Sequence, residues 1–451
     1  QRQMCIRDSY SSEEVFQKLV SYIVDEIQDD SKFDKKVYHS MVDSGVLSGR
    51  EICLLLYDQK VLKKKTSTYQ KLQAGMISPY SFLKSKIRSL EISAGDLGLT
   101  PCSCAVIVTD VKTGKVKALT SYPSYDNNKF ANSVDADYYA KISTSSASPL
   151  LNRATQQKAA PGSTFKMVTA TTALEEGIIN PYTRIHDGVQ FNKINKPWPK
   201  CWSTYSHGNI NVSQAIQHSC NYFFYEMGYR LGNGHNTLVD NEKGLSKLKK
   251  YAEKYGLTEK SGIELPEAEP TFSDVDVVRS AIGQGSHSYT PVQMSRYVTT
   301  IANGGTCFDL TLIQKIKDAK SKTQDKKLSN VRNKLNFQSS TLTAIKTGMK
   351  NVVQAGSIKS LFNNVNVTVA GKTGTAQITN NEPNHALFVS FAPYENPEIS
   401  ITVVIPNGFS SSNAAELASK VYQYYYDKSS RKKLMDGKVS SPAMGLSLIH
   451  I

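Results

Sequence analysis

The sequence predicts an α+β domain in which early and late strands share one sheet around a helical middle, preceded by a mainly helical segment. Three observations point there. Residues from Ser11 to about Ala94 repeat at helical spacing, the period changes to two after Cys104, and strand patterns return only beyond Asn351.

Ser11 and Glu14 make a capping box, and Val15, Leu19, Ile23 and Ile27 then recur on one helical face. Further amphipathic pieces run from Val37 to Val46 and from Arg50 to Tyr57. Residues 10–95 show no chemistry and read as a packing or spacer region. A larger region, 96–427, opens with Ala105 to Thr109 and Val116 to Thr120 around a Thr113-Gly114 turn, the pattern of a β-hairpin. Thr164 to about Asn351 is helical pattern broken by loops rich in Gly, Pro and Asn. Three strand candidates follow: Val365 to Ala370 running on into Gln377, His385 to Ala392, and Ile399 to Ile405. A last helix is expected from Asn413 to Tyr426, with Leu417, Val421 and Tyr424 on one side. Residues 428–445 read as a disordered basic tail. Residues 1–9 and 446–451 have no periodicity and no relation to their neighbours; they read as adapter sequence on an assembled fragment and are set aside.

The 451 residues are 39% hydrophobic and 21% charged, enough for one large core and a smaller companion. The net charge of +15 comes mostly from scattered lysines, with local excess at Lys63-Lys64-Lys65 and between Lys315 and Lys334. These runs lack interleaved aromatics, and no helix-turn-helix, finger or RNP pattern accompanies them. They read as solvated surface, and no nucleic acid partner is expected. The seven cysteines are too sparse and irregular for a disulfide framework. Paired C-x₂₋₄-C knuckles and H-E-x-x-H are both missing, so neither a metal site nor a cofactor is expected. No apolar run reaches the roughly 18 residues of a membrane span.

The sharpest local feature is Ala160-Pro161-Gly162-Ser163-Thr164-Phe165-Lys166-Met167-Val168. Pro and Gly end a loop and an apolar helix starts at once, which puts Ser163 at a helix N-terminus where developing negative charge is favoured. Lys166 lies three residues on, one turn away on the same face. A serine hydroxyl needs a base, and a neutral lysine can serve. That requires its pKa to fall from about 10.4 to near 7, about 4 kcal/mol of differential environment. Burial and a second cation would both push that way.

The S-x-x-K spacing alone proves little, because it recurs at Ser81/Lys84, Ser246/Lys249, Ser429/Lys432 and Ser430/Lys433. Only Ser163 follows a Pro-Gly stop and opens an apolar helix. Ser219-Cys220-Asn221 follows a helical run from Asn211, and its hydroxyl and amide could relay a proton and hold a substrate amide. Lys372-Thr373-Gly374-Thr375 continues a strand pattern; Gly374 would let a substrate lie close, and Lys372 with the threonine hydroxyls could bind a carboxylate. K-T-G also recurs, at Lys112 in the hairpin turn and at Lys346 in a helical stretch.

In order and context these three motifs resemble the penicillin-binding proteins. The resemblance covers about Asp110 to Tyr426. Tyr122-Pro123-Ser124-Tyr125-Asp126, Leu151-Asn152-Arg153-Ala154-Thr155, Ser206-His207-Gly208, Gly283-Gln284-Gly285 with Thr290-Pro291, and Phe391-Ala392-Pro393 are similar to the class B, monofunctional transpeptidases. The helical segment, through Ile52-Cys53-Leu54-Leu55-Leu56-Tyr57-Asp58, resembles part of the membrane-proximal pedestal of clostridial members.

The resemblance implies a serine β-lactamase-like fold, an antiparallel sheet flanked by helices. It implies a peptidoglycan D,D-transpeptidase that cross-links stem peptides through a serine acyl-enzyme and is acylated by β-lactams. It further implies a glycosyltransferase partner in the division or elongation machinery, and a place on the extracytoplasmic face of the bacterial membrane through an N-terminal anchor this sequence lacks. Ser163 would attack the penultimate D-alanine carbonyl and Lys166 would take its proton. Ser219 would pass a proton to the leaving amine, Asn221 would orient Lys166 and substrate, and Lys372 would polarise the site. Thr373, Gly374 and Thr375 would bind substrate, with the threonines on the carboxylate. The backbone N–H groups of Ser163 and Thr375 would form the oxyanion hole. Cys220 departs from the commonest middle residue of its triplet, and Leu387 and Ser390 replace residues that are often Trp and Gly, which would alter one cleft wall. A β-lactamase or D,D-carboxypeptidase of the same fold, and a catalytically silent cell-wall scaffold or sensor, are the alternative readings.

Overall fold

The computed structural model describes residues 11–27, 30–63, 66–89, 91–92, 102–145, 147–317, 323–325, 329–376 and 383–435. The readings of 1–9 and 446–451 lie outside them. The chain divides into two units, Gln1–Leu99 and Thr100–Ile451.

The first unit is helical, as its spacing predicts: α1 (Ser12–Ile27), α2 (Ser31–Asp43), α3 (Gly49–Asp58), α4 (Thr66–Gln73) and α5 (Pro79–Arg88). Ser11 and Glu14 close the expected capping box, with Ser11 N donating to Glu14 Oε2 at 2.7 Å and Glu14 N to Ser11 Oγ at 3.2 Å. A helix–glycine–serine unit then occurs twice. Gly45 and Gly75 turn the chain at φ +74° and +72°, and Ser48 and Ser78 cap the helices that follow. Cys53, Leu56, Tyr57, Leu62, Leu72, Phe82 and Ile92 form the unit's small core.

The second unit is built on one antiparallel sheet. Its strands are β1 (Cys104–Asp110), β2 (Val116–Tyr122), β9 (Ala370–Ala376), β10 (His385–Ala392) and β11 (Ile399–Ile405), in the order β2-β1-β11-β10-β9. Short two-residue to four-residue strands stand apart: β3 (Ile185–His186) with β4 (Asn209–Ile210), β5 (Thr306–Phe308) with β8 (Val331–Lys334), and β6 (Ile316–Lys317) with β7 (Thr323–Asp325). Between the hairpin and the late strands run α6 (Ala136–Ser143), α7 (Lys166–Glu175), α8 (Val212–Gln217), α9 (Asn221–Leu231) and α10 (Asn241–Lys254). The helices α11 (Val277–Ser280), α12 (Pro291–Ala302) and α13 (Ser339–Gln354) follow, and α14 (Ser411–Tyr426) and α15 (Arg431–Leu434) end the described chain.

Side chains alternate along a strand, so Ser400 and Ile401 face opposite sides of the sheet. Thr299 of α12 meets Ser400 Oγ at 2.7 Å, while Tyr422 of α14 donates to Ser390, which sits opposite Ile401. Helices therefore cover both faces. Burial at Ser390 and Ser400 is tolerated because each hydroxyl has a partner.

Three expectations need correction. The strand does not begin at Val365: its N–H closes a turn onto Phe362 O at 3.0 Å, and pairing starts at Ala370. On α14 Leu417 and Val421 pack partly buried against the core but Tyr424 is exposed, and the face most buried is Ala414, Ala415, Ala418, Ser419, Tyr422 and Gln423, because small residues let a helix approach a sheet closely. Residues 428–435 are not a formless tail; Asp427 accepts hydrogen bonds from Ser429 and Ser430 and the one-turn α15 follows.

Candidate active site

Pro161 ends a loop before a 3-10 turn, Gly162–Phe165, that runs straight into α7. That helix is buried from Lys166 to Leu174, its three threonine hydroxyls each hydrogen-bonded to a backbone carbonyl, which makes it the central rod of the unit. Two backbone approaches fix the turn. A Cβ on Gly283, at φ +78°, would stand 2.0 Å from Gly162 O, and one on Gly374 would stand 2.9 Å from Pro161 O and 2.8 Å from Thr164 Cγ2. Gly374 therefore makes room for the turn that carries Ser163 to lie on β9. The neighbouring Thr373 and Thr375 are the β9 residues that face the cleft.

Ser163, Ser219, Asn221, Thr373 and Thr375 line one cavity of about 720 Å³. Lys166 and Lys372, both fully buried, reach Ser219 from two sides. Lys166 Nζ donates to Ser219 O at 2.7 Å, to Ser219 Oγ at 3.2 Å and to Asn221 Oδ1 at 2.6 Å. Lys372 Nζ donates to Ser219 Oγ at 2.9 Å and to Thr373 O at 2.9 Å. Three distant stretches of chain thus meet at one hydroxyl. Ser219 itself sits at φ +52°, a left-handed conformation costing about 1 kcal/mol or more for a residue with a Cβ. The strain presents its carbonyl and its hydroxyl to the same ammonium.

Burial lowers Lys166 to about 8. Lys372 is held well below the ordinary lysine value, by burial first and by the Lys166 charge second. The pairing of Ser163 Oγ directly with Lys166, which the spacing predicts, is not made: among the described residues Ser163 Oγ has no hydrogen-bond partner, and the three N–H donors of Lys166 are engaged elsewhere.

Cys220 turns away from the cleft. It is the N-cap of α9, its sulfur accepting from Phe223 N at 3.5 Å, while Cys201 Sγ accepts from Asn221 N at 3.3 Å. The sequence pattern points to no metal site, yet four side chains able to ligate one gather here. Ligand atoms of Asp187, Cys201, His207 and Cys220 all lie within 4.8 Å of one another. Spacing missed them because Asp187, Cys201 and His207 are spread along the β3–β4 connection and Cys220 lies between α8 and α9, so they form no knuckle. Asp187 is buried, receives Val189 N at 2.8 Å and His207 N at 3.1 Å, and meets His207 Nδ1 at 2.6 Å. Cys201 is lowered to about 5, chiefly by a hydrogen bond from the Cys220 thiol. Thiol, imidazole and carboxylate are each ligand types that a tetrahedral zinc ion takes, and four of them meet here, so the residues fit such an ion.

Leu387 and Ser390 do not shape the cleft: Leu387 packs with Ala159, Ala376 and Val404, and Ser390 faces Tyr422. Trp202, His218 and Gln284 do line it, unassigned by the motifs. For His218 the available signal was its place next to Ser219.

With this geometry in view, comparison with known proteins is decisive about kinship. Residues 104–423 match the penicillin binding protein transpeptidase domain. The chain belongs to that family. It is 32% identical over 358 residues to the peptidoglycan D,D-transpeptidase MrdA of Haemophilus influenzae, covering 72% of this chain and 53% of that one. It is 30% identical over 334 residues to the peptidoglycan D,D-transpeptidase PbpA of Mycolicibacterium smegmatis, covering 68% and 62%. The chain thus spans about half the length of the first of these relatives. Among solved structures it resembles PBP2 of Helicobacter pylori, with 28% identity, a TM-score of 0.62, and coverage of 72% and 60%. A ceftriaxone acyl-enzyme of penicillin-binding protein A from Mycobacterium tuberculosis matches with 25% identity, a TM-score of 0.61, and coverage of 71% and 72%. A peptidoglycan synthase complex that coordinates polymerization and crosslinking matches with 26% identity, a TM-score of 0.63, and coverage of 72% and 56%.

Proposed function

We propose that this chain is the catalytic part of a peptidoglycan D,D-transpeptidase, with residues 96–427 as the transpeptidase domain and 10–95 as part of a pedestal. The observation that carries the reading is the convergence of two buried lysines on Ser219 beside Ser163. A neutral Lys166 has two N–H donors and a lone pair. It can keep Ser219 O and Asn221 Oδ1 as partners and turn the lone pair to the Ser163 hydroxyl. Ser163 Oγ then bonds to the penultimate D-alanine carbonyl carbon as its proton passes to Lys166. The backbone N–H groups of Ser163 and Thr375 would hold the oxyanion.

Ser219 Oγ accepts from both lysines, which fills its lone pairs and leaves its own O–H to donate. It can therefore protonate the departing D-alanine amine and recover a proton from Lys166. The acyl-enzyme is released when the amine of a second stem peptide attacks. Thr373 and Thr375, beside Lys372, suit the substrate carboxylate. Asp187, Cys201, His207 and Cys220 would hold a zinc ion, whose chemistry there is to cross-brace the loops that carry Ser219 and Asn221.

The relatives' activities support a partnership with a polymerising glycosyltransferase, and a membrane-anchored position facing the cell wall. No described helix is long and apolar enough to cross a membrane. The test is covalent labelling: folded protein should form a fluorescent-penicillin adduct on the tryptic peptide containing Ser163, and Ser163→Ala should not. Folded wild type without an adduct would refute the reading. Fast turnover of a chromogenic cephalosporin would replace it with a hydrolase.

A further inference from the structure

We propose that Cys201 and Cys220 are a modification site, joined reversibly as a disulfide by a small peroxide, and that this bond switches the acylation site to a slower state. The bond is argued from the thiol pair alone, and its effect on Ser163 rests on the transpeptidase reading. The sulfurs of Cys201 and Cys220 lie within 4.8 Å of one another. Both sit over the first turn of α9, where Cys201 Sγ accepts from Asn221 N at 3.3 Å and Cys220 Sγ from Phe223 N at 3.5 Å. Backbone bonds fix the segments that carry them, Cys201 N donating to Val189 O at 2.7 Å and Cys220 N to Ala215 O at 3.0 Å. A disulfide holds its sulfurs at about 2.05 Å, so two side chains that already converge need only close the remaining gap.

Access selects the oxidant. Cys220 is fully buried, while Cys201 keeps 7% exposure and is followed by Trp202, which lines the cavity. A peroxide is small enough to reach Cys201, and a bulky disulfide reagent is not. The Cys201 sulfur bonds to one peroxide oxygen as the O–O bond breaks, which gives a sulfenic acid and one water. The Cys220 sulfur then attacks Cys201 Sγ, the S–O bond breaks, and the oxygen leaves as a second water with the Cys220 proton. Two thiols are oxidised and one peroxide is reduced to two waters.

The bond acts where the chemistry is held. Cys220 stands between Ser219, the acceptor of both buried lysines, and Asn221, whose Oδ1 takes Lys166 Nζ at 2.6 Å. Drawing the sulfurs together pulls Cys201 Sγ from Asn221 N and shifts the residues on either side of Cys220. Cys201 and Cys220 therefore act as positioning residues for the base and the proton relay. A zinc ion held by the same two sulfurs would leave neither free to attack peroxide, so metal and oxidant compete for them.

The test uses the full chain, stripped with chelator and treated with hydrogen peroxide. Lys200 and Arg230 bound one tryptic peptide, Cys201–Arg230, that contains both thiols. After alkylation of remaining thiols, that peptide should be unalkylated and two hydrogens lighter, and a thiol reductant should restore both alkylation sites. Fluorescent-penicillin labelling of Ser163 should fall about tenfold on oxidation and recover on reduction. Cys201→Ser, compared with itself before and after peroxide, should keep its own labelling rate. Zinc added before peroxide should slow disulfide formation about tenfold. An unchanged peptide, or one that gains oxygen without losing hydrogen, would overturn the disulfide. A disulfide with unchanged labelling would overturn the switch, and equal oxidation with and without zinc would overturn the competition. Untreated wild type that forms no penicillin adduct, yet forms the disulfide, would sink the transpeptidase reading and leave the thiol pair standing.

Discussion

Raising the pH from 7 to 9 should accelerate acylation of Ser163 about tenfold, because the step needs Lys166 uncharged. Burial lowers Lys166 to about 8. About one tenth of the lysines are then neutral at pH 7, half at pH 8 and nine tenths at pH 9. The sign follows from the direction: a cation with a depressed pKa loses its proton as pH rises through that value, so reactivity appears above it and fades below. The assay is the second-order rate of labelling by a fluorescent penicillin in small steps from about pH 6 to about pH 9.5. Asn221→Ala supplies an internal check. The Asn221 oxygen stabilises the charged ammonium, so its loss should move the inflection to lower pH while reducing the plateau. A flat profile, or an inflection near the free-lysine value of about 10.4, would refute the assignment of Lys166 as base.

Lys372→Met removes a donor to Ser219 Oγ and should slow acylation about a hundredfold or more with little change in melting temperature, checked by labelling rate beside calorimetry. Gly283→Ala would drive a methyl group into Gly162 O at a positive φ. It should cost about 2 kcal/mol of stability in denaturant titration and reduce labelling at Ser163. Adding zinc to chelator-stripped protein should raise the melting temperature of wild type but not of Cys201→Ser or Cys220→Ser, with bound metal measured by elemental analysis.

Much of the site was legible because its chemistry sits in short local patterns. A Pro-Gly stop followed by an apolar helix marks Ser163 and Lys166, and the observed turn into α7 is what that pattern dictates. A capping box fixes the start of α1, and short, nearly continuous apolar runs fix β10 and β11 to the residue, since both faces of those strands are buried. Failures came where packing overrides pattern. Val365 to Val369 have strand composition, yet without a partner strand they turn back on Phe362. On α14 Leu417 and Val421 are only partly buried while Ala414, Ala415 and Ala418 are fully so, because alanines permit the closest approach to the sheet.

The sequence by itself determined the fold class, the proposed nucleophile Ser163 and base Lys166, and the three stretches that had to meet. Each of those is written in residues close together along the chain. Only the tertiary structure decided how the stretches meet. It made Ser219 the shared acceptor of two lysines, gave Gly374 to the Pro161 turn, and gathered Asp187, Cys201, His207 and Cys220 into one group. The physical reason is that burial, and the pKa changes it causes, belong to the folded core as a whole. No local pattern carries the distance between residues that the chain brings together only on folding.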